Sequence, residues 1–202
     1  MAMLTATWVL IGFAAGSIPF SFFIGRVFLK KDIRQFGDKA PGATNVARAG
    51  GRILYIVAIL LDAFKGTVPV LLARDSYLVS GWELSLVAIA PVLGHAFTPF
   101  LKFQGGMGAA TTYGVWLALL GWIGPIIMGI CMGFMFIIQK NWVWSTIGGM
   151  VGFLIILLIL QYPLHLAAAW MGHTGVMFCK RYSHFRGWPE LQPWLARIEK
   201  KA

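Results

Sequence analysis

Several residues in this chain have types and spacings that could do chemistry. Glycines 105, 106 and 108 lie in KFQGGMGAATTYG (102–114), at the mouth of a short apolar segment. Such a cluster lets the backbone turn tightly and aim several N–H groups at one point, to which a following helix adds the positive end of its dipole. That arrangement holds a phosphate, although the same glycines would also suit a close-packed membrane re-entry turn. Asp62 and Lys65, in LDAFKG with Gly66, are three residues apart and share one face of a helix. Each charge costs about 2.5–3.5 kcal/mol at a membrane-helix centre, so they must pair or face water. They are either a structural ion pair or a polar site for a charged substrate. His95, in PVLGHAFTPFLKF, is delivered to the same side as the glycine turn, as a packing residue or a functional one. Arg34, Thr44, Asn45 and Arg48 stand together in a polar segment and would make a cationic cap.

The elements that position these groups follow from composition. With 58% hydrophobic and 12% charged residues in a chain of 202, too little polar surface remains to cover a soluble domain. Apolar runs at 4–28, 53–73, 82–101, 108–120, 122–138, 142–160 and 164–179 mostly approach the roughly 20 residues a bilayer-crossing helix needs. The expectation is an all-α integral membrane protein: a seven-transmembrane-helix bundle, N-terminus outside and C-terminus cytoplasmic, in the cell (inner or plasma) membrane. Six spans is the competing count, if the fourth and fifth merge around Gly121 and Pro125. Charge favours seven: 14 of the 17 Lys and Arg then fall in inner segments, leaving Arg26, Lys65 and Arg74 elsewhere. The net charge of +10 then reads as an orientation signal and an affinity for anionic lipid, with no nucleic-acid face visible. The start lacks a basic n-region and reads as a retained first helix, not a cleavable signal. The whole chain, 1–202, reads as one polytopic domain.

Within that bundle, Pro19 should bend the first helix, with Ser17 and Ser21 bonding freed carbonyls. Residues 29–52 are too long for a plain connector and should form a partly folded cytoplasmic cap. Gly129 and Gly133, and Gly148, Gly149 and Gly152, read as close helix packing. His165 and His173, eight residues apart, have a spacing that a haem or pigment would accept, as would hydrogen-bonded core histidines. Cys131 and Cys179, without CxxC spacing, read as buried packing and not as a metal site or disulfide. From about 180 to 202 a basic amphipathic tail, with Trp188, Leu191, Trp194, Leu195 and Ile198, should lie on the inner leaflet.

Taken together, GSIPF…DIRQFG…GATNVAR, LDAFKG and GHAFTPFLKFQGGMGAAT resemble, in order and spacing over about 16–114, the PlsY-type acyl-phosphate:glycerol-3-phosphate acyltransferases. Beyond Gly114 only the hydropathy pattern is similar. The resemblance implies a seven-helix fold with its site open to the cytoplasm. It also implies transfer of an acyl chain from acyl-phosphate to the 1-hydroxyl of glycerol-3-phosphate, giving lysophosphatidic acid in phospholipid synthesis, with no cofactor and no metal. It would assign the turn of Gly105, Gly106 and Gly108 to the acyl-phosphate, with Arg48 and LDAFKG near the glycerol-3-phosphate; Thr44, Asn45, His95 and Thr111 join them as candidate substrate-binding residues.

The departures from the family pattern are specific. Asp38 stands where the family has a serine, and Ala40 where it has an amide; Gln104 and Met107 replace two lysines. The family's serine between helices five and six has no clean counterpart in KNWVWST, and its closing H-R-x-N is replaced by a stretch containing Arg181 and His184. Each lost charge-assisted contact is worth roughly 1.5–3 kcal/mol, so affinity and rate should fall far unless Lys39, Lys65 or Lys102 substitutes. Two functions therefore stand open: an acyltransferase acting on acyl-phosphate and glycerol-3-phosphate among membrane lipids, or a catalytically degenerate member serving as an accessory subunit beside other integral membrane proteins. No catalytic residue is assigned. The tryptophans at helix ends suit lipid or a partner.

Overall fold

The computed structural model describes residues 1–182 and 189–194 and is all-helical. Among these residues nine α-helices follow in order: α1 (Ala2–Ser17), α2 (Phe20–Phe28), α3 (Ala43–Arg48), α4 (Arg52–Asp75), α5 (Gly81–Ala96), α6 (Ala109–Leu120), α7 (Ile123–Ile138), α8 (Trp142–Ile159) and α9 (Leu164–Arg181). Four stretches are long and apolar enough to cross a membrane: 2–28, 52–75, 81–101 and 142–159, while α6 and α7 are shorter apolar helices. Their outer faces carry exposed Leu10, Ile56, Leu60, Phe64, Ile130 and Ile155, which water would not tolerate as a continuous belt.

Pro19 divides the first apolar run as expected, separating α1 from α2. The carbonyls freed there are taken by side chains from elsewhere: Thr98 Oγ1 donates to Ser17 O at 2.6 Å and Lys65 Nζ to Ile18 O at 2.7 Å. Ser17 donates to Phe13 O, but Ser21, expected to bond a carbonyl, donates to Asp62 instead. Residues 29–52 form the partly folded cap, with a 3-10 turn (Ile33–Gln35) and α3 packed over Ile24, Ile33, Val46 and Ala58.

The fourth and fifth apolar runs are not one helix. Gly121 has φ of +63°, and a side chain at Gly124 would meet Trp116 O at 2.7 Å. Eight residues of continuous helix would hold those positions about 12 Å apart, so α6 and α7 form an antiparallel hairpin.

Glycine packing differs from the expected pattern. Gly133 faces open space and Gly129 meets only Tyr113, so the Gly129/Gly133 pair does not form a tight crossing. The tight crossings lie at Gly16 against Pro91 O, Gly94 against Phe13 O, and Gly114 against Ala63 O, where an added Cβ would come within 1.9–2.2 Å. Gly148 and Gly149 do pack closely on Met135 and Met132 of α7. Cys131 is buried, but Cys179 is exposed on α9 and is not a packing residue. His173 is a core residue, its Nε2 3.0 Å from Ala88 O and its ring edge-on to Trp116; His165 lies edge-on to Trp82 and offers its carbonyl to Ser85. The two histidines thus have separate packing partners. Most of the expected amphipathic tail, including Trp188, Leu195 and Ile198, lies outside the described residues. Its described part returns to the α7–α8 turn, where Gln139 and Leu191 pair and Lys140 meets Glu190.

Candidate functional site

The cap, the glycine turn and the ends of α4, α5, α8 and α9 enclose a cavity of about 680 Å³. The cap contributes Asp38, Thr44, Asn45 and Arg48; α4 contributes Tyr55 and Asp62, and α5 contributes His95. Gly106, Met107 and Gly108 form its floor with the first residues of α6, and Trp142 and Arg181 close the side.

The glycine turn has the shape expected for anion binding. Gly108, with φ of +81°, leads directly into α6, whose first turn has no side-chain cap, so its N–H groups are unclaimed by a capping side chain. Gly105 and Gly106 are required by contact: a side chain at Gly105 would lie 1.9 Å from His95 O, and one at Gly106 would lie 2.5 Å from His95 Nε2. His95 therefore sits directly on the turn.

Behind this surface lies a buried polar layer. Lys65 Nζ and Asp62 Oδ1 are 2.7 Å apart, with side chains 3% and 2% exposed. Ser21 donates to Asp62 Oδ2 at 2.8 Å, and His95 Nδ1 is 3.7 Å from Asp62 Oδ1 and 3.3 Å from Thr111 Oγ1. Asp62 thus ties Lys65, Ser21 and His95 into one layer, and Lys65 is held between Asp62 and Ile18 O. Of the positions singled out in the sequence, Arg48, Thr44, Asn45, Asp62, His95, Gly106 and Gly108 line the cavity. Lys65, Gly66, Gly105 and Thr111 do not; they form the layer that holds it, with Gly66 packed on Thr111 O.

Two features were not legible. Arg181, from the far end of the chain, pairs with Asp38 and lies over the Trp142 ring at 4.3 Å. Asp38 also accepts from Asn45 Nδ2 at 2.8 Å and from Ala40 N–H. Burial opposes ionisation of Asp38, but the Arg181 guanidinium and these donors outweigh it and hold the carboxyl below its ordinary range. The carboxylate that stands where the family has a serine is therefore a paired one. None of the three lysines that could have substituted lines the cavity: Lys39 and Lys102 are exposed and Lys65 is buried in its pair.

An all-helical membrane protein with a glycine turn leading into an uncapped helix, a polar cap carrying Arg48 and a buried histidine in one cavity is the class these features define. Residues 6–186 match the family model described as glycerol-3-phosphate acyltransferase, and the chain belongs to that family. It is 45% identical over 130 residues to the glycerol-3-phosphate acyltransferase of an Anaeromyxobacter species, covering 60% of this chain and 63% of that relative. To that of Maridesulfovibrio salexigens it is 47% identical over 117 residues, covering 58% and 60%. The chain thus spans less than two thirds of the length of these relatives in alignment. A crystal structure of PlsY (YgiH), an integral membrane glycerol 3-phosphate acyltransferase, in its glycerol 3-phosphate form, superposes with a TM-score of 0.79 at 26% identity, over 89% of both chains.

Proposed function

We propose that this chain transfers an acyl group from acyl-phosphate to the 1-hydroxyl of glycerol-3-phosphate, forming lysophosphatidic acid. The observation that supports it most is the one cavity in which the uncapped α6 N-terminus, Gly106, Gly108, His95, Asn45 and Arg48 converge. Transfer requires two phosphate groups to approach each other, so their repulsion must be offset by cations and N–H donors in a poorly hydrated pocket. The glycine turn and the α6 dipole suit the acyl-phosphate, whose leaving phosphate gains charge as the acyl carbon is attacked. Arg48, held by Asn45 Oδ1 at 3.1 Å, suits the phosphate of glycerol-3-phosphate. His95 has Nδ1 turned to Thr111 and Asp62 and Nε2 at the glycine turn, so its cavity-side nitrogen is placed near where the hydroxyl proton must leave.

In the same reading the bundle crosses the inner or plasma membrane seven times with its N-terminus outside, so the cavity faces the cytoplasm where both substrates are soluble or surface-bound. Membrane lipids are its surroundings and product acceptors; no observation among the described residues favours the accessory-subunit alternative. The test is to incubate the purified full chain with acyl-phosphate and glycerol-3-phosphate. Lysophosphatidic acid and free phosphate should appear in equal amounts, and hydrolysis of acyl-phosphate without acylated glycerol-3-phosphate would refute the reading.

A further inference from the structure

The cavity has an anion-binding floor but few cations. Among the described lining residues the only ones are Arg48 and Arg181, since Lys65 is spent on Asp62 and Ile18 O, and Gln104 and Met107 bring no charge to the turn. Arg48 is exposed at the rim and donates to Asn45 Oδ1. Arg181 is different: it is 8% exposed, its guanidinium carbon lies over the Trp142 ring, 4.3 Å from its centre, and its Nε, buried, finds no hydrogen-bond partner among the described residues. A buried guanidinium N–H without an acceptor is costly unless something else fills the place.

Among the described residues its charged partner is Asp38. Three donors converge on it: Arg181 Nη2, Asn45 Nδ2 and the Ala40 N–H. A fork of guanidinium, amide and backbone donors is the set a phosphate oxygen also takes. Asp38 is 24% exposed on a turn between Gly37 and Lys39, both with positive φ, and it lines the cavity. With Asp62 and Lys65 cancelling, the lining carries two guanidiniums against one carboxylate. A phosphate that takes the place of Asp38 would meet both.

We infer that Arg181 is the second phosphate-binding cation of this cavity, and that Asp38 is its resident counter-ion, displaced when a phosphate-bearing ligand enters. This rests on the acyltransferase reading for the nature of the ligand and adds to it the cation that the glycine turn lacks. The replacement of a hydroxyl by Asp38 and the presence of Arg181 are then one coupled change, made 143 residues apart. Asp38 sets a threshold: weakly charged or uncharged ligands do not displace it, and a phosphate dianion does.

The experiment measures binding of inorganic phosphate and of glycerol-3-phosphate to the full chain in detergent by calorimetry, with thermal unfolding of the same samples. Asp38→Asn keeps a hydrogen-bonding side chain but removes the competing charge, so it should tighten glycerol-3-phosphate binding, by about threefold or more. Arg181→Ala should weaken it by about tenfold or more, and Arg181→Lys should recover part of the loss, since charge returns without the planar fork. A pair that merely straps α9 to the cap predicts instead that both changes lower the melting temperature and shift affinity in the same direction, which would overturn the inference. Should Arg181→Ala fail to fold, Asp38→Asn still decides by the sign of its effect. Absence of phosphate and glycerol-3-phosphate binding by the unmodified chain also overturns it. Binding that behaves as expected without any acyl transfer would remove the acyltransferase reading and leave Arg181 assigned; acyl transfer whose kinetics ignore both residues would do the reverse.

Discussion

Removing Asp62 alone should harm the protein more than removing it together with Lys65. The two charges are 2.7 Å apart, with side chains 2% and 3% exposed, inside a helix read as membrane-spanning. In Asp62→Ala the Lys65 ammonium keeps only the Ile18 carbonyl, and Ser21 loses its acceptor. Leaving one buried charge unpaired costs about 3–5 kcal/mol, whereas deleting both leaves only uncharged groups to satisfy, at roughly 1–3 kcal/mol. At about 2–4 °C per kcal/mol for a chain of this size, the single change should lower the melting temperature by about 6–20 °C. Asp62→Ala/Lys65→Ala should recover a clear part of that. The assay is thermal unfolding of the unmodified chain, both single variants and the double variant in one detergent, closed as a double-mutant cycle. A double variant that loses as much as the two singles added together would refute the reasoning, because the residues would then not interact.

Three other outcomes follow from the same structure. Cysteines introduced at Ser76 and Arg52, at opposite ends of α4, should label from opposite sides, outside and cytoplasmic respectively; the reverse sidedness would overturn the proposed orientation. Gly106→Ala should abolish acyl transfer with little loss of stability if His95 moves to accommodate the new side chain 2.5 Å from Nε2; full activity would show that His95 position does not matter. In the cap, the Arg34 side-chain hydrogen bonds, against an opposing burial effect and aided by Arg26, hold Asp32 at about 2, below its usual 3.8. Because the folded value is the lower one, this stabilisation is present above 3.8 and is lost as pH falls to about 2. Asp32→Asn should flatten the acid limb of the unfolding curve in that window, and an unchanged limb would count against it.

How much was legible in the sequence depended on how local the signal was. The Pro19 break, the folded cap, the Asp62 and Lys65 pair and the glycine turn were readable because each is set by neighbours along the chain. The true close-packing glycines, 16, 94 and 114, were not, because their need for small size comes from a carbonyl on another helix, whereas the GxxxG spacing of 129 and 133 falls on an open face. Gly66, Gly105, Lys65 and Thr111 were picked as contacts and lie behind the cavity lining, since sequence spacing places residues on a face without telling which layer of the site that face reaches. Arg181 was missed for the opposite reason. It breaks the local order of the family's closing motif, and only the return of α9 beside the cap brings it to Asp38. The contact would have been suggested by a cavity carboxylate in need of a cation, a question that arises once Asp38 is known to be enclosed.

The most direct measurement is the time course of lysophosphatidic acid formation by the purified full chain from acyl-phosphate and glycerol-3-phosphate, run beside Arg48→Ala. The unmodified chain should form lysophosphatidic acid, and kcat/KM for glycerol-3-phosphate should fall by about tenfold or more in the variant. No product from the unmodified chain, or equal rates from the two, would contradict this expectation.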